Sequence, residues 1–293
     1  MIVHINMKLG CIGQGWIGKH LSDHFEARGF TVTRYSNEKS YRGNKKEIAT
    51  CDVVFIAVPT PTTPHGFDDS ILREVIALVG KGKTAVIKST VIPGTTDAIQ
   101  KEHPNIIVLH APEFLRETSV QHDIDFPDRN IIGIPSAHLH DRNYGKAAEA
   151  LTAILPHAPY VSVCSAPEAE LTKYAGNNFL YMKVVYMNLL YDMAQKFGAD
   201  WGVLAQNMVA DPRIGPSHMQ PVHQYSHMGG KEGRGAGGHC FIKDFVSFRE
   251  LYEKTLPDDR EGIELLKSLE RKNNTLLKNS GKDAELLRGV YGA

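Results

Sequence analysis

The stretch Leu9-Gly10-Cys11-Ile12-Gly13-Gln14-Gly15-Trp16-Ile17-Gly18 decides the fold of this 293-residue chain. Leu9–Ile12 is a short apolar strand, and the glycines at 13, 15 and 18 lead into a helix expected over His20–Arg28. Glycines so spaced permit a tight turn and a close backbone approach to a pyrophosphate, which then sits on the helix N-terminus. A bare GxGxxG is weak evidence, and a purely structural turn is the plain alternative. Set between a strand and a helix, the motif predicts a dinucleotide site formed by Gly13, Gln14, Gly15, Trp16, Ile17 and Gly18.

Outward from that motif, apolar runs at Thr31–Tyr35, Asp52–Val58, Thr84–Ile87, Asn105–Leu109 and Asn130–Ile134 alternate with polar or amphipathic stretches. Continuous hydrophobicity suggests strands buried on both faces of a parallel sheet, hence a doubly wound α/β domain. A further run, Tyr160–Val163, ends that domain or links it onward, so its expected extent is 1–164. From Pro167 the texture changes. Glu168 to Phe197 reads as one long helix, Asp211 to Gly238 as a Gly-, His- and Pro-rich loop, and Phe245–Lys254 and Gly262–Lys278 as two more helices. The expected fold class is therefore α/β, with a mainly helical second domain at 165–293.

Thirty-three basic residues balance thirty-three acidic ones, so no net field recruits nucleic acid or an anionic membrane. Cysteines 11, 51, 164 and 240 have no metal-ligand spacing and read as reduced thiols. The start, Met1-Ile2-Val3-His4, lacks the form of a signal peptide, and no apolar run reaches membrane-spanning length. A cytoplasmic protein is expected. His218, His223 and His227 have no carboxylate or thiol spacing to support a metal, and none is expected.

The second strand ends Arg34-Tyr35-Ser36-Asn37-Glu38-Lys39, with Ser36 where an acid would grip the ribose 2′-OH of NAD. Glu38 offers a substitute, whereas Arg34, Lys39 or Arg42 would suit the 2′-phosphate of NADP. NAD is the expected cofactor and NADP stays open.

Near the end stands Gly237-Gly238-His239-Cys240-Phe241-Ile242-Lys243-Asp244. A cysteine behind a glycine pair, with a cation three residues on, has the setting of a nucleophile. A buried small residue at a helix start is the bland reading.

Several ordered segments resemble the UDP-glucose/GDP-mannose dehydrogenase family. Val58-Pro59-Thr60-Pro61, Lys88-Ser89-Thr90-Val91 with Pro93-Gly94-Thr95, and Ala111-Pro112-Glu113-Phe114-Leu115-Arg116-Glu117 are similar to its motifs. So are Pro127-Asp128-Arg129, Glu168-Ala169-Glu170-Leu171-Thr172-Lys173-Tyr174 with Asn177 and Phe179, Asp211-Pro212-Arg213-Ile214-Gly215 and the octapeptide. The resemblance runs from about Lys8 to about Asn274. It departs in three ways: the segment between Ser36 and Cys51 is short, His239 and Ile242 replace two prolines, and Pro221–Gly233 looks long. The chain also resembles a short form without the family's third, UDP-binding domain.

The resemblance implies an N-terminal Rossmann domain, a nucleotide-sugar substrate and two successive hydride transfers that turn a primary alcohol into an acid. Cys240 would carry the thiohemiacetal and thioester. Lys173 and Asn177, four apart on one helix face, would stabilise the developing oxyanion. Glu113 is the candidate general base, Asp244 orients water or tunes Lys173, and Thr90 positions water. Each has a plain alternative: a solvated Lys–Asn face, a strand-end cap at Glu113, an N-cap at Asp244, turn chemistry at Thr90. Ser36, Val58, Pro59, Thr60 and Thr90 join the cofactor set. Glu113, Phe114, Leu115, Arg116, Lys173, Asn177, Arg213 and Gly237 are expected to touch substrate. A homodimer through the central helix is expected by analogy. The competing expectations are a β-hydroxyacid-type dehydrogenase performing one hydride transfer, and a non-catalytic dinucleotide-binding protein.

Overall fold

A computed structural model describes residues 7–116, 118–224 and 231–292. Met1–His4, Glu117 and His227 lie outside the described residues, as does part of the expected 211–238 loop. Two compact units emerge: Met1–Thr60 with Asp68–Lys173, and Pro61–Phe67 with Tyr174–Ala293.

In chain order the strands are β1 (Lys8–Ile12), β2 (Thr31–Tyr35), β3 (Val53–Ile56), the two-residue β4 (Thr62–Thr63) and β5 (Gly66–Phe67), β6 (Thr84–Ile87), β7 (Ile107–His110), β8 (Arg129–Ile134) and β9 (Tyr160–Ser165). Two short strands follow, β10 (Val222–Gln224) and β11 (Glu232–Arg234). The first unit holds a seven-stranded sheet ordered β2-β1-β3-β6-β7-β8-β9. The chain goes from β1 to β2 on one side and to β3 on the other, so the winding reverses between β1 and β3. In such sheets ligands bind outside the carboxyl ends of the strands at that reversal. The expectation of an all-parallel sheet needs one correction, because β8 pairs antiparallel to β7. Antiparallel neighbours need no crossover helix. Among the described residues the intervening stretch carries only the six-residue α4 (Val120–Asp125).

The short segment after Ser36 holds two 3-10 turns, Arg42–Lys46 and Ile48–Thr50. Helices α1 (Trp16–Ala27), α2 (Ser70–Ile76), α3 (Thr95–Glu102) and α5 (Arg142–Ile154) belong to the same unit. The core joins Leu9, Cys11, Phe55, Val86, Leu109 and Ile132 of the sheet to Leu21 and Phe25 of α1 and Leu151 of α5. Phe25 lies 4.9 Å from Phe55, centroid to centroid.

Helix α6 (Ala166–Lys196) contributes its first turns to the first unit and the rest to the second. It starts with Pro167 in its first turn, where the missing N–H costs nothing. The second unit adds α7 (Trp201–Val209), α8 (Gly238–Thr255), α9 (Arg260–Ser280) and α10 (Ala284–Tyr291). Tyr181 stacks on Phe245 at 3.9 Å among Val184, Val185, Ala236 and Leu266. Two helix starts differ from expectation. Helix α1 begins at Trp16 because Gly15 already accepts from Lys19 N. Helix α8 begins at Gly238, seven residues before Phe245, so Asp244 sits inside the helix and is not its cap. Among the described residues no helix is long and apolar enough to cross a membrane.

Candidate active site

The Gly13–Gly18 turn leaves the carboxyl end of β1. Gly13 has φ +88°, and a Cβ there would lie 2.1 Å from the Ala57 carbonyl oxygen. Gly18 lies against the Gly13 carbonyl in the same way. Gly15 is different: apart from its own chain neighbours, no atom of the described residues comes within 4 Å of a Cβ placed on it. The fold does not demand glycine at 15, and the open space there suits the close approach of the expected pyrophosphate. The α1 N-terminus has no side-chain cap and no acidic residue in its first turn, a setting that suits an anion. These residues fit a dinucleotide pyrophosphate. Gln14 turns its side chain inward, donating from Nε2 to the carbonyl oxygens of Cys11 and Gly13 and to Ser22 Oγ. Only its backbone serves the turn. Trp16 is half-exposed beside His20.

Ser36 Oγ accepts from Glu38 N at 3.3 Å, which orders the turn after β2. Arg34 is engaged elsewhere, with Nη2 2.6 Å from both Asp23 and Glu26, and these carboxylates raise its pKa. A guanidinium so held is not available to a 2′-phosphate, which favours NAD. Past β3, Val58 and Ser89 lock together: Ser89 Oγ donates to Val58 O and accepts from Val58 N. Thr60 Oγ1 donates to Thr90 O at 2.6 Å, which ties the loops after β3 and β6. Pro59 lies between Val58 and Thr60 in sequence.

The loop after β7 carries Glu113, Phe114, Leu115 and Arg116. Glu113 Oε1 accepts from Lys173 Nζ at 2.9 Å and Oε2 accepts from Leu115 N at 2.7 Å; both side chains are buried. Burial alone would raise the Glu113 carboxyl, but the Lys173 ammonium and these hydrogen bonds bring it below its ordinary value. It stays a carboxylate at neutral pH. Phe114 presents its ring to Arg129 at 3.9 Å and to Lys173 at 5.6 Å. Arg116 is bound to Asp123, to which its backbone N–H also donates at 2.7 Å.

The second unit brings Asn177, Cys240 and Asp244 into its own arrangement. Cys240 is the third residue of α8 and partly exposed, at the helix end best suited to negative charge. One turn on, buried Asp244 accepts from Asn177 Nδ2 at 2.6 Å and from Lys243 Nζ at 2.5 Å. Arg213 lies on the surface, paired with Asp211. Gly237 is the N-cap of α8. His223 turns to Gln220 O and Lys282, and His218 to Phe241.

Three groups escaped the sequence reading. Lys88 donates to Pro112 O, and burial brings its ammonium down to about 8. Buried His110, at the end of β7, is pushed down to about 3, chiefly by burial and then by Lys88, against a hydrogen bond to the Ile87 backbone. Glu170 accepts from Gly94 N, Thr96 N and Thr96 Oγ1 at the start of α3. Lys88 and Glu170 lie inside the quoted motifs, so position marked them even though residue type did not.

Comparison with known proteins accords with this geometry. Residues 36–146 match the NAD binding domain of the UDP-glucose/GDP-mannose dehydrogenase family, and residues 167–275 its central domain. A UDP-glucose 6-dehydrogenase of Rhizobium meliloti is 32% identical over 81% of this chain and 53% of its own. One from Rickettsia prowazekii is 30% identical over 98% of this chain and 62% of its own. The chain thus spans little more than half the length of these curated relatives. A solved UDP-glucose dehydrogenase from Pyrobaculum islandicum aligns with 94% of this chain and 70% of its own, at TM-score 0.76 and 26% identity. A 3-hydroxyisobutyrate dehydrogenase from Mycobacterium tuberculosis covers 98% of both chains at TM-score 0.69, but at 13% identity it shares the fold alone. The chain belongs to the UDP-glucose/GDP-mannose dehydrogenase family and carries that family's NAD-binding and central domains.

Proposed function

We propose that this chain oxidises the C6 primary alcohol of a nucleotide sugar, UDP-glucose or a close relative, to the carboxylate in the cytoplasm. One water and two NAD+ are consumed; two NADH and three protons are released. The cofactor falls to domain 1–164, and Lys173 and Cys240 to domain 165–293. The carrying observation is Cys240, a partly exposed thiol in the first turn of α8, one turn before a buried Asp244 that holds Asn177. A single hydride transfer has no use for that thiol.

NAD, when bound, supplies the hydride acceptor in each half-reaction. Glu113, a carboxylate at neutral pH, takes the proton of the alcohol as the aldehyde forms. The Cys240 sulfur then attacks the aldehyde carbon; a C–S bond forms and the carbonyl oxygen gains charge. Lys173 and Asn177 donate to that oxygen. Loss of the second hydride leaves a thioester. Water, oriented by Asp244 and Thr90, adds to it, the C–S bond breaks, and the thiol recovers its proton. Phe114, Leu115, Arg116, Arg213 and Gly237 would hold the substrate. The proposed assembly is a homodimer through α6, supported by the exposed Phe179, Tyr186, Leu189 and Met193 on that helix.

Cys240→Ser tests the covalent step. The variant should bind NADH as the wild type does and form no acid. Acid formation at the wild-type rate would overturn the mechanism.

A further inference from the structure

The backbone that leads into Cys240 is held from the far end of the chain. Between Gly233 and Gly238, four groups on α9 and the turn after it grip successive peptide units. Ser280 Oγ accepts from Arg234 N at 3.1 Å, and Asn273 meets both Ala236 N and Ala236 O, at 2.7 and 2.9 Å. Lys282 Nζ donates to Gly235 O at 3.2 Å. Asp283 Oδ2 accepts from Gly238 N at 2.9 Å, two residues before Cys240.

The last two contacts are unusual. Lys282 is 1% exposed, a lysine whose side chain is almost wholly inside the protein. Its other partner is His223 Nε2 at 2.9 Å. His223 Nδ1 faces Gln220 O, so Nδ1 carries the proton and Nε2 accepts from the ammonium. Asp283 has φ +54°, a left-handed conformation that a residue with a side chain rarely adopts. It stands at the N-cap position of α10 without capping it, and its carboxylate serves α8 instead. The glycine at 237 answers to the same pair: a Cβ there would lie 1.9 Å from Asp283 Oδ2 and 2.9 Å from Lys282 Cε. Ser280, Lys282 and Asp283 all lie past residue 275, where the match to the family's central domain ends.

We propose that Lys282 and Asp283 are positioning residues for Cys240, fixing the Gly235–Gly238 backbone and the start of α8 so that the thiol is presented in one orientation. A catalytic role for the Cys240 thiol rests on the function proposed above; the clamp itself does not.

Peptide-resolved iodoacetamide alkylation reads the thiol directly and needs no turnover. With Asp283→Ala, the first turn of α8 frays, and Cys240 should be alkylated about fivefold faster or more, while Cys164 in the other unit keeps its rate. Asp283→Asn keeps an oxygen for Gly238 N and should stay within about twofold of wild type. If the wild type turns over UDP-glucose, Asp283→Ala should lower kcat and leave the KM for NAD unchanged. Equal Cys240 alkylation in wild type and Asp283→Ala would overturn the proposal, as would an Asn variant that behaves like Ala. Should Asp283→Ala fail to fold, Lys282→Met frees Gly235 O and is read in the same way. A wild type without turnover but with the expected alkylation pattern would count against the enzymatic reading and leave the clamp standing.

Discussion

Gly13 and Gly15 stand two residues apart in one motif and answer to different things. Gly13 is fixed by the protein, through its positive φ and the Ala57 carbonyl. Gly15 faces open space. Gly13→Ala should therefore cost about 2 kcal/mol or more in chemical denaturation. Gly15→Ala should cost less than about 1 kcal/mol yet weaken NAD binding about tenfold or more, read by fluorescence titration. An unchanged affinity in Gly15→Ala would remove the phosphate from this turn. The glycine spacing was legible in the sequence because it is local. The Lys173–Glu113 ion pair was not: each residue was singled out, but their pairing joins positions 60 apart.

At the scale of elements, most strands were legible because buried parallel strands are continuous apolar runs. The long α6 was legible because its one glycine, Gly176, does not interrupt it. The start of α8 was not, since Gly237-Gly238 reads as loop by propensity. A carboxylate 45 residues away satisfies the first amide of that helix, and no local window contains that information. Buried His110, at the end of β7, should make its own contribution to the pH dependence of stability. The His110 value of about 3 lies below the ordinary 6.5, so the folded state prefers the neutral ring. Its contribution is full above 6.5 and is lost as the pH falls from 6.5 towards 3. His110→Leu should flatten the fall of the thermal midpoint across that window relative to wild type. Parallel curves for the two proteins would show that His110 is not the group responsible.

At the scale of the whole molecule, α6 leaves Phe179, Tyr186, Leu189 and Met193 exposed, within about a quarter-turn of one another around the helix. A stripe of that kind is suited to a second copy of the same helix. In light scattering the wild type should have twice the monomer mass, and Tyr186→Glu with Met193→Glu should have the monomer mass with its fold intact. A wild-type monomer would contradict the dimer. From the sequence the dimer is an expectation by analogy alone, since no residue pattern in one chain says where its copy lies.

The central claim is a four-electron oxidation, and the most direct measurement is the number of NADH formed per molecule of UDP-glucose consumed. The account predicts two, with the uronic acid as product. One NADH per sugar, with an aldehyde or ketone as product, would contradict it and leave Cys240 without its assigned role.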